Sequence, residues 1–296
     1  MIKTSPWRCS RGKHKNARTT TPHNHMKSHR NYLILAALLV ATTSSYAITT
    51  FSTDFDSSEG YVDGPLDYTH QTAAPHFNEA QFAGGFYLPY GSSPNFGTLR
   101  RNPTAVGATA YYKIGEGSAF TAGNTWSITL DFTFEGLPDV TPSADAFIAS
   151  VGFSTSSTSN ENSIYAGIKR KVSGSNSANG LYQFFITGGG DAEAIGGVSY
   201  TAIGDDPRDD NDLTDNLRIA LSLTKSATRG QFDAVAQLIN LDTSTTVATI
   251  TKTLTQSNAY QADLFGYFKS SSEKEDGNFD LFNANAFSYR HQATAP

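Results

Sequence analysis

In the segment Trp126-Ser127-Ile128-Thr129-Leu130-Asp131-Phe132-Thr133-Phe134-Glu135, large apolar and polar residues alternate without a break for ten positions. A period of two buries one set of side chains and leaves the other in water, so this is a half-buried β-strand and not a helix. The same alternation returns in 217–224 and, more loosely, in 147–153, 164–172 and 181–187. Alternation of this kind belongs to antiparallel sheets with one solvated face.

Further strands are expected at 49–55, 105–114, 232–241, 246–254, 264–268 and 279–289. Between the strands lie clusters such as Ser173-Gly174-Ser175-Asn176-Ser177, Gly188-Gly189-Gly190-Asp191 and Asp242-Thr243-Ser244, rich in residues that tolerate tight backbone geometry. No long segment with a 3.6-residue period competes, and no repeat or linker divides this part of the chain. Many strands joined by short polar turns make an all-β antiparallel sandwich, and such folds run to about 250 residues as one domain. One domain is expected over 48–296.

The start of the chain is chemically different. Its first 53 residues hold no Asp or Glu but eight of the 22 Lys and Arg. Met26-Lys27-Ser28-His29-Arg30 is a short basic segment ahead of the apolar run 32–41, and Ser45-Tyr46-Ala47 offers small residues for a cut after Ala47. This is the layout of a secretory signal peptide over 26–47. The apolar run is about half of the roughly 20 residues that span a bilayer, which argues against an anchor. Residues 1–25 precede a complete signal that has its own initiator in Met26, so an over-extended start is expected there. Export to the periplasm or beyond the cell, with no membrane span after cleavage, is the expected location.

From Ile48 onward, fourteen Lys and Arg stand against 27 Asp and Glu, a net charge of −13 where the whole chain carries −5. An acidic surface argues against nucleic acid and anionic membrane as partners, since both are held through clustered Lys and Arg. Cations and neutral ligands remain open. The one cysteine, Cys9, lies in the leader, so the exported part has no disulfide, thiolate metal site or cysteine nucleophile. Its stability has to come from a sizeable core.

Three segments carry a wider pattern. They are Asp54-Phe55-Asp56-Ser57-Ser58-Glu59-Gly60-Tyr61-Val62-Asp63-Gly64-Pro65-Leu66, the stretch 124–134, and the series 216–224, Gln231-Phe232-Asp233 and 240–247. Together they resemble the concanavalin A-like, laminin-G-like jelly-roll superfamily in its exported bacterial form, over most of 50–290. The resemblance implies a two-sheet antiparallel jelly-roll sandwich whose final strand, around Phe279-Asp280-Leu281-Phe282-Asn283-Ala284, returns beside the first. It also implies a structural calcium where the terminal strands meet. Asp54 and Asp56, on one face of the first strand with Phe55 on the other, and Asp280 are its expected ligands, calcium taking about six to eight oxygens. The superfamily hosts lectins, glycosidases, lyases and adhesion modules, so function has to be argued from a site.

Laminarinase-like members carry Glu-x-Asp-x-Glu, whereas this chain reads Asp131-Phe132-Thr133-Phe134-Glu135 and departs at two of the three carboxylate positions. Asp131 and Glu135 share a strand face but stand about 13 Å apart on a straight strand, beyond the roughly 5–9.5 Å that glycoside hydrolysis requires. The acidic run 205–216 holds six Asp beside one Arg and reads as a solvated loop without the Gly and terminal Glu of an EF-hand. His70, His76 and His291 are the histidines after Ala47, and neither H-E-x-x-H nor G-x-S-x-G occurs. Sugar sites combine aromatic rings with placed polar groups. Trp126 lies on the apolar parity and reads as core, which leaves Tyr61, Tyr87 and Tyr90, in Gly- and Pro-containing stretches, as ligand-binding candidates.

The reading that results is an exported non-catalytic binding or structural module, with a polysaccharide as ligand and a structural calcium. A carbohydrate-active enzyme on the same fold, glycosidase or polysaccharide lyase, is the alternative. Expression with the leader in a secreting bacterial host is expected to yield a product beginning at Ile48 by intact-mass measurement; retention of residues 26–47 would contradict the signal assignment.

Overall fold

The computed structural model describes residues 48–293 apart from 67–70, 76, 81–84, 89–98, 102–107, 117–121, 136–145, 157–162, 171–181, 189–190, 206–212, 256–262 and 271–281. The signal segment, His70, His76, Tyr90, Asp280 and the middle of the acidic run lie outside the described residues. The strands are β1 (Ile48–Thr53), β2 (Gly64–Pro65), β3 (Asn78–Ala80), β4 (Phe86–Leu88), β5 (Leu99–Arg101), β6 (Ala108–Glu116), β7 (Thr125–Phe134), β8 (Ala146–Ser154), β9 (Ile164–Arg170), β10 (Tyr182–Gly188), β11 (Asp191–Val198), β12 (Leu217–Lys225), β13 (Gln231–Asn240), β14 (Thr245–Thr255), β15 (Asp263–Ser270) and β16 (Phe282–Gln292). The helical content among the described residues is two short 3-10 turns, Ser57–Glu59 and Tyr200–Ile203. No helix among them is long and apolar enough to cross a membrane.

Sheet A runs β14-β13-β12-β7-β16-β5-β4-β2, with β1 also paired to β16, and sheet B runs β11-β10-β9-β8-β15-β6-β3. The pairings are antiparallel. Strands β8 to β11 make a meander in sheet B, and β12 to β14 make a second in sheet A. The chain then crosses twice, inserting β15 between β8 and β6 and β16 between β7 and β1. Two sheets that exchange strands in this way form the jelly-roll sandwich that the resemblance implied, and the last strand does lie beside the first, Ile48 opposite Gln292 through Thr53 opposite Phe287.

The alternating segments bury their apolar sets between the sheets. On β7, Trp126, Ile128, Leu130, Phe132 and Phe134 are buried, and they meet Ile219 and Leu221 of β12, Phe184 of β10 and Phe153 of β8 in one core. Each such side chain contributes about 1.5–3 kcal/mol when removed from water, the stabilisation that a chain without disulfides requires. At the centre, Phe77 packs against Phe51, Phe55, Tyr112, Phe268 and Phe287 at ring separations of 5.5–6.3 Å. One ring from a loop thus ties β1, β6, β15 and β16 together.

Trp126 is core, and His291 of β16 stacks on it with ring centres 5.1 Å apart and planes 2° from parallel. Burial holds the His291 imidazole below its ordinary value of 6.5. A histidine whose folded value is depressed binds its proton more readily when unfolded, so stability is full above pH 6.5 and is lost as pH falls towards the folded value. Thermal unfolding of residues 48–296 is expected to show a midpoint that falls as pH drops below 6.5, and a flatter profile in His291→Phe. Identical profiles for the two proteins would contradict the assignment.

Candidate functional site

The structure separates the residues that sequence reasoning grouped. β1 ends at Thr53, and Phe55 sits in the left-handed region at φ 58°, so the chain leaves the sheet before Asp54 and Asp56 can share a strand face. That conformation costs a non-glycine residue about 1–2 kcal/mol, and it is offset by burying the Phe55 ring against Tyr61, Phe77 and Phe268. Asp54 is exposed. Asp56 caps the 3-10 turn: its carboxylate accepts the Ser58 N–H at 2.7 Å, a bond that holds its carboxyl below the usual range. The two therefore do not share a strand face, and no three His, Cys, Asp or Glu side chains gather as a metal-ligand group among the described residues.

Tyr61 also departs from expectation. It is 1% exposed, in the core, and its hydroxyl lies 3.3 Å from the Thr53 hydroxyl, so it offers no surface to a ligand. Burial drives the phenol well above its ordinary value. Tyr87 falls on β4, paired with Pro65 and Arg100. The ends of the acidic run are anchored by specific bonds. Asp205 accepts the Tyr182 hydroxyl at 2.8 Å, and Asp215 accepts the Asn240 amide at 2.6 Å.

The outer face of sheet A is hydroxylic, as alternation requires. Thr125 pairs with Thr224 (3.1 Å), Ser127 with Ser222 (2.8 Å) and Thr129 with Ser288 (2.7 Å). Asp131 continues this row, and both its oxygens accept from Arg218, at 2.6 and 2.7 Å. That bond raises the Arg218 guanidinium above its ordinary value. Glu135 lies beyond the end of β7, bridged to Leu213.

The outer face of sheet B is built differently. Cross-strand register places Tyr111 opposite Tyr267, Tyr267 opposite Gly152, and Gly152 opposite Tyr165 in one row across β6, β15, β8 and β9. Their neighbours Ala110, Phe268 and Ala166 belong to the main core, whereas Tyr111, Phe265 and Tyr267 form a second cluster with Tyr165 against it. The rings continue from Tyr165 to Phe185 (5.8 Å) and from Phe185 to Phe147 (5.5 Å). Two glycines make the row fit: a Cβ on Gly152 would stand 2.9 Å from the Tyr267 ring, and one on Gly167 would stand 2.8 Å from the Phe185 ring.

Polar groups border these rings. The Lys169 ammonium lies 5.1 Å from the centre of Phe185 and 5.7 Å from that of Phe147, and donates to Glu193 at 2.7 Å. Opposite Lys169 stands Gln183, 8% exposed, whose Oε1 has no hydrogen-bond partner among the described residues. Tyr165 and Phe147 are half-buried, while Tyr267 and Phe185 beneath them are sealed. Burial raises the Tyr111 phenol to about 12, and that of Tyr165 is raised by burial first and by Glu193 second, so both rings are neutral at physiological pH. Sequence reasoning missed this face, although aromatic residues on the solvent parity of β9 and β10 were there to be read.

No family model and no curated protein matches the chain. Among solved structures it is similar to a protein of unknown function from Shewanella oneidensis MR-1 (12% identity, 86% of this chain and 91% of that one, TM-score 0.46). It is also similar to peanut lectin with a 9mer peptide (10% identity, 84% and 99%, TM-score 0.45) and basic winged bean lectin with Tn-antigen (8% identity, 83% and 98%, TM-score 0.47). At such TM-scores and identities these likenesses say nothing about ligand or chemistry.

The row of rings depends on the glycines beneath it. In Gly167→Ala the new Cβ meets the Ala149 carbonyl oxygen at 2.5 Å as well as the Phe185 ring, so backbone has to shift. A loss of about 1–3 kcal/mol is expected in urea unfolding. An unchanged midpoint would contradict the packing described.

Proposed function

We propose that the chain is an exported carbohydrate-binding module, without catalytic function, that holds a polysaccharide on the outer face of sheet B. The observation that supports this is the contrast between the two outer faces. Sheet A presents Ser and Thr to water, whereas sheet B carries a contiguous row of aromatic rings there. Tyr111, Phe265, Tyr267 and Phe185 are buried there, and Tyr165 and Phe147 are left half-buried beside them, placed to stack on a ligand. The apolar faces of sugar rings match half-buried Tyr165 and Phe147. Glu193, partly exposed beside the rings and held by Lys169, supplies hydrogen bonds to hydroxyls. Two of these rings, Tyr165 and Phe147, are half-buried and not sealed.

Residues 48–296 are to be titrated with soluble β-glucan, galactan, mannan and alginate by affinity electrophoresis and calorimetry. At least one is expected to bind without release of reducing ends. Tyr165→Ala and Phe147→Ala are each expected to weaken that binding about tenfold, equivalent to about 1.4 kcal/mol, with the circular dichroism spectrum unchanged. Binding to none of the four, or binding unaffected by both substitutions, would overturn the proposal. Release of product would overturn its non-catalytic part.

A further inference from the structure

We propose that the opposite side of the sandwich carries a second, separate site, a pocket for a single sugar ring that prefers amino sugars to acidic ones. A cavity of about 310 Å³ opens on the outer face of sheet A, where the end of β1 meets β16, β7 and β12. Its size is at the low end of ligand pockets, about 300–1,000 Å³, enough for one ring and not for a chain. Small side chains, Ser52, Thr129, Ala286 and Ser288, line it. The ladder between β16 and β7 slips between Ala284 and Ala286, beside Asp131, and this bulge interrupts the regular face that would otherwise close the space.

The polar groups around the cavity suit a polyol. Arg218 has five N–H donors and spends two on Asp131, so three are left to meet ligand oxygens, and its side chain is 39% exposed. The hydroxyls of Ser52 and Ser288 can both donate and accept. No aromatic ring faces the cavity as a platform: Phe287 contributes to its lining, but its side chain is buried in the main core. Binding there rests on these hydrogen bonds and on the charges at the rim.

Charge sets the preference. Asp131 neutralises Arg218, and the remaining charged side chains at the cavity, Asp54 and Glu59, are both acidic. One Glu59 oxygen is held by the Thr53 hydroxyl at 2.7 Å and the Asp54 N–H at 3.2 Å, which fixes that carboxylate at the rim. An ammonium on the sugar is attracted there and a carboxylate repelled. This site shares no residue with the ring-lined face of sheet B, so the two readings fail independently.

Saturation-transfer NMR and calorimetry on residues 48–296 with glucosamine, glucose and glucuronate test it. The expected order of affinity is glucosamine, then glucose, then glucuronate, with several-fold steps that shrink at high salt. Asp54→Asn is expected to narrow the glucosamine advantage over glucose about twofold. Ala286→Leu fills the cavity and is expected to abolish binding of all three. Ser52→Gln, at an exposed edge position, is the second blocking variant if the first fails to fold. Tyr165→Ala is expected to leave all three affinities unchanged. No saturation transfer from any sugar, glucuronate equal to or above glucosamine, or binding that survives a folded blocking variant would each overturn the proposal.

Discussion

β16 enters sheet A between β7 and β1 and pairs along both of its edges, ten residues against β7 and six against β1. Most of what the molecule presents follows from that insertion. The inward side of β16 supplies Phe282, Phe287 and Tyr289 to the core. Its bulge lies beside Asp131, and its last turn of register sets His291 on Trp126. Because β15 makes the equivalent insertion in sheet B, neither sheet is complete until the end of the chain has folded into its middle. Contacts of such long sequence separation are slow to form, and the sandwich compensates by burying a large share of its aromatic residues once they are made.

The two outer faces then diverge for local reasons. On β7, β12 and β16 of sheet A the solvent parity carries a row of Ser, Thr and one ion pair, each satisfied by a cross-strand neighbour. On sheet B glycines at two of these positions remove the side chains on which rings would otherwise stand, and the rings of Tyr267 and Phe185 lie close over the backbone. Glycine in a strand interior weakens it, and aromatic cover over the glycine offsets that loss. The face becomes a shallow aromatic floor with Lys169, Glu193 and Gln183 at one end.

Strand parity was legible from the start, and the segments that alternate are the segments that form the core faces. β11 was not. Asp191-Ala192-Glu193-Ala194-Ile195-Gly196-Gly197-Val198 has the composition of a turn and an exposed edge, and it is a strand because β10 pairs with it along its length. Which strands share a sheet was likewise beyond local pattern, since it depends on crossings between distant segments. The surroundings of Asp54, Asp56 and Tyr61 were hidden for a similar reason. Asp54 and Asp56 were placed on one face by assuming a straight strand, and the left-handed Phe55 breaks it. Tyr61 was chosen for its neighbouring glycine, but Gly60 is there to end a 3-10 turn at φ 92°, which delivers the ring into the core. The better signal was an aromatic on the solvent parity with a glycine two residues on, as in Tyr165 and Gly167.

The ring-lined face of sheet B as ligand face is tested most directly by a crystal structure of residues 48–296 with an oligosaccharide fragment of the polysaccharide that binds it. Sugar rings stacked on Tyr165 and Phe147, with a hydroxyl donating to Glu193, are the expected result. An oligosaccharide seated elsewhere, with the sheet B rings untouched, would contradict the assignment of that face.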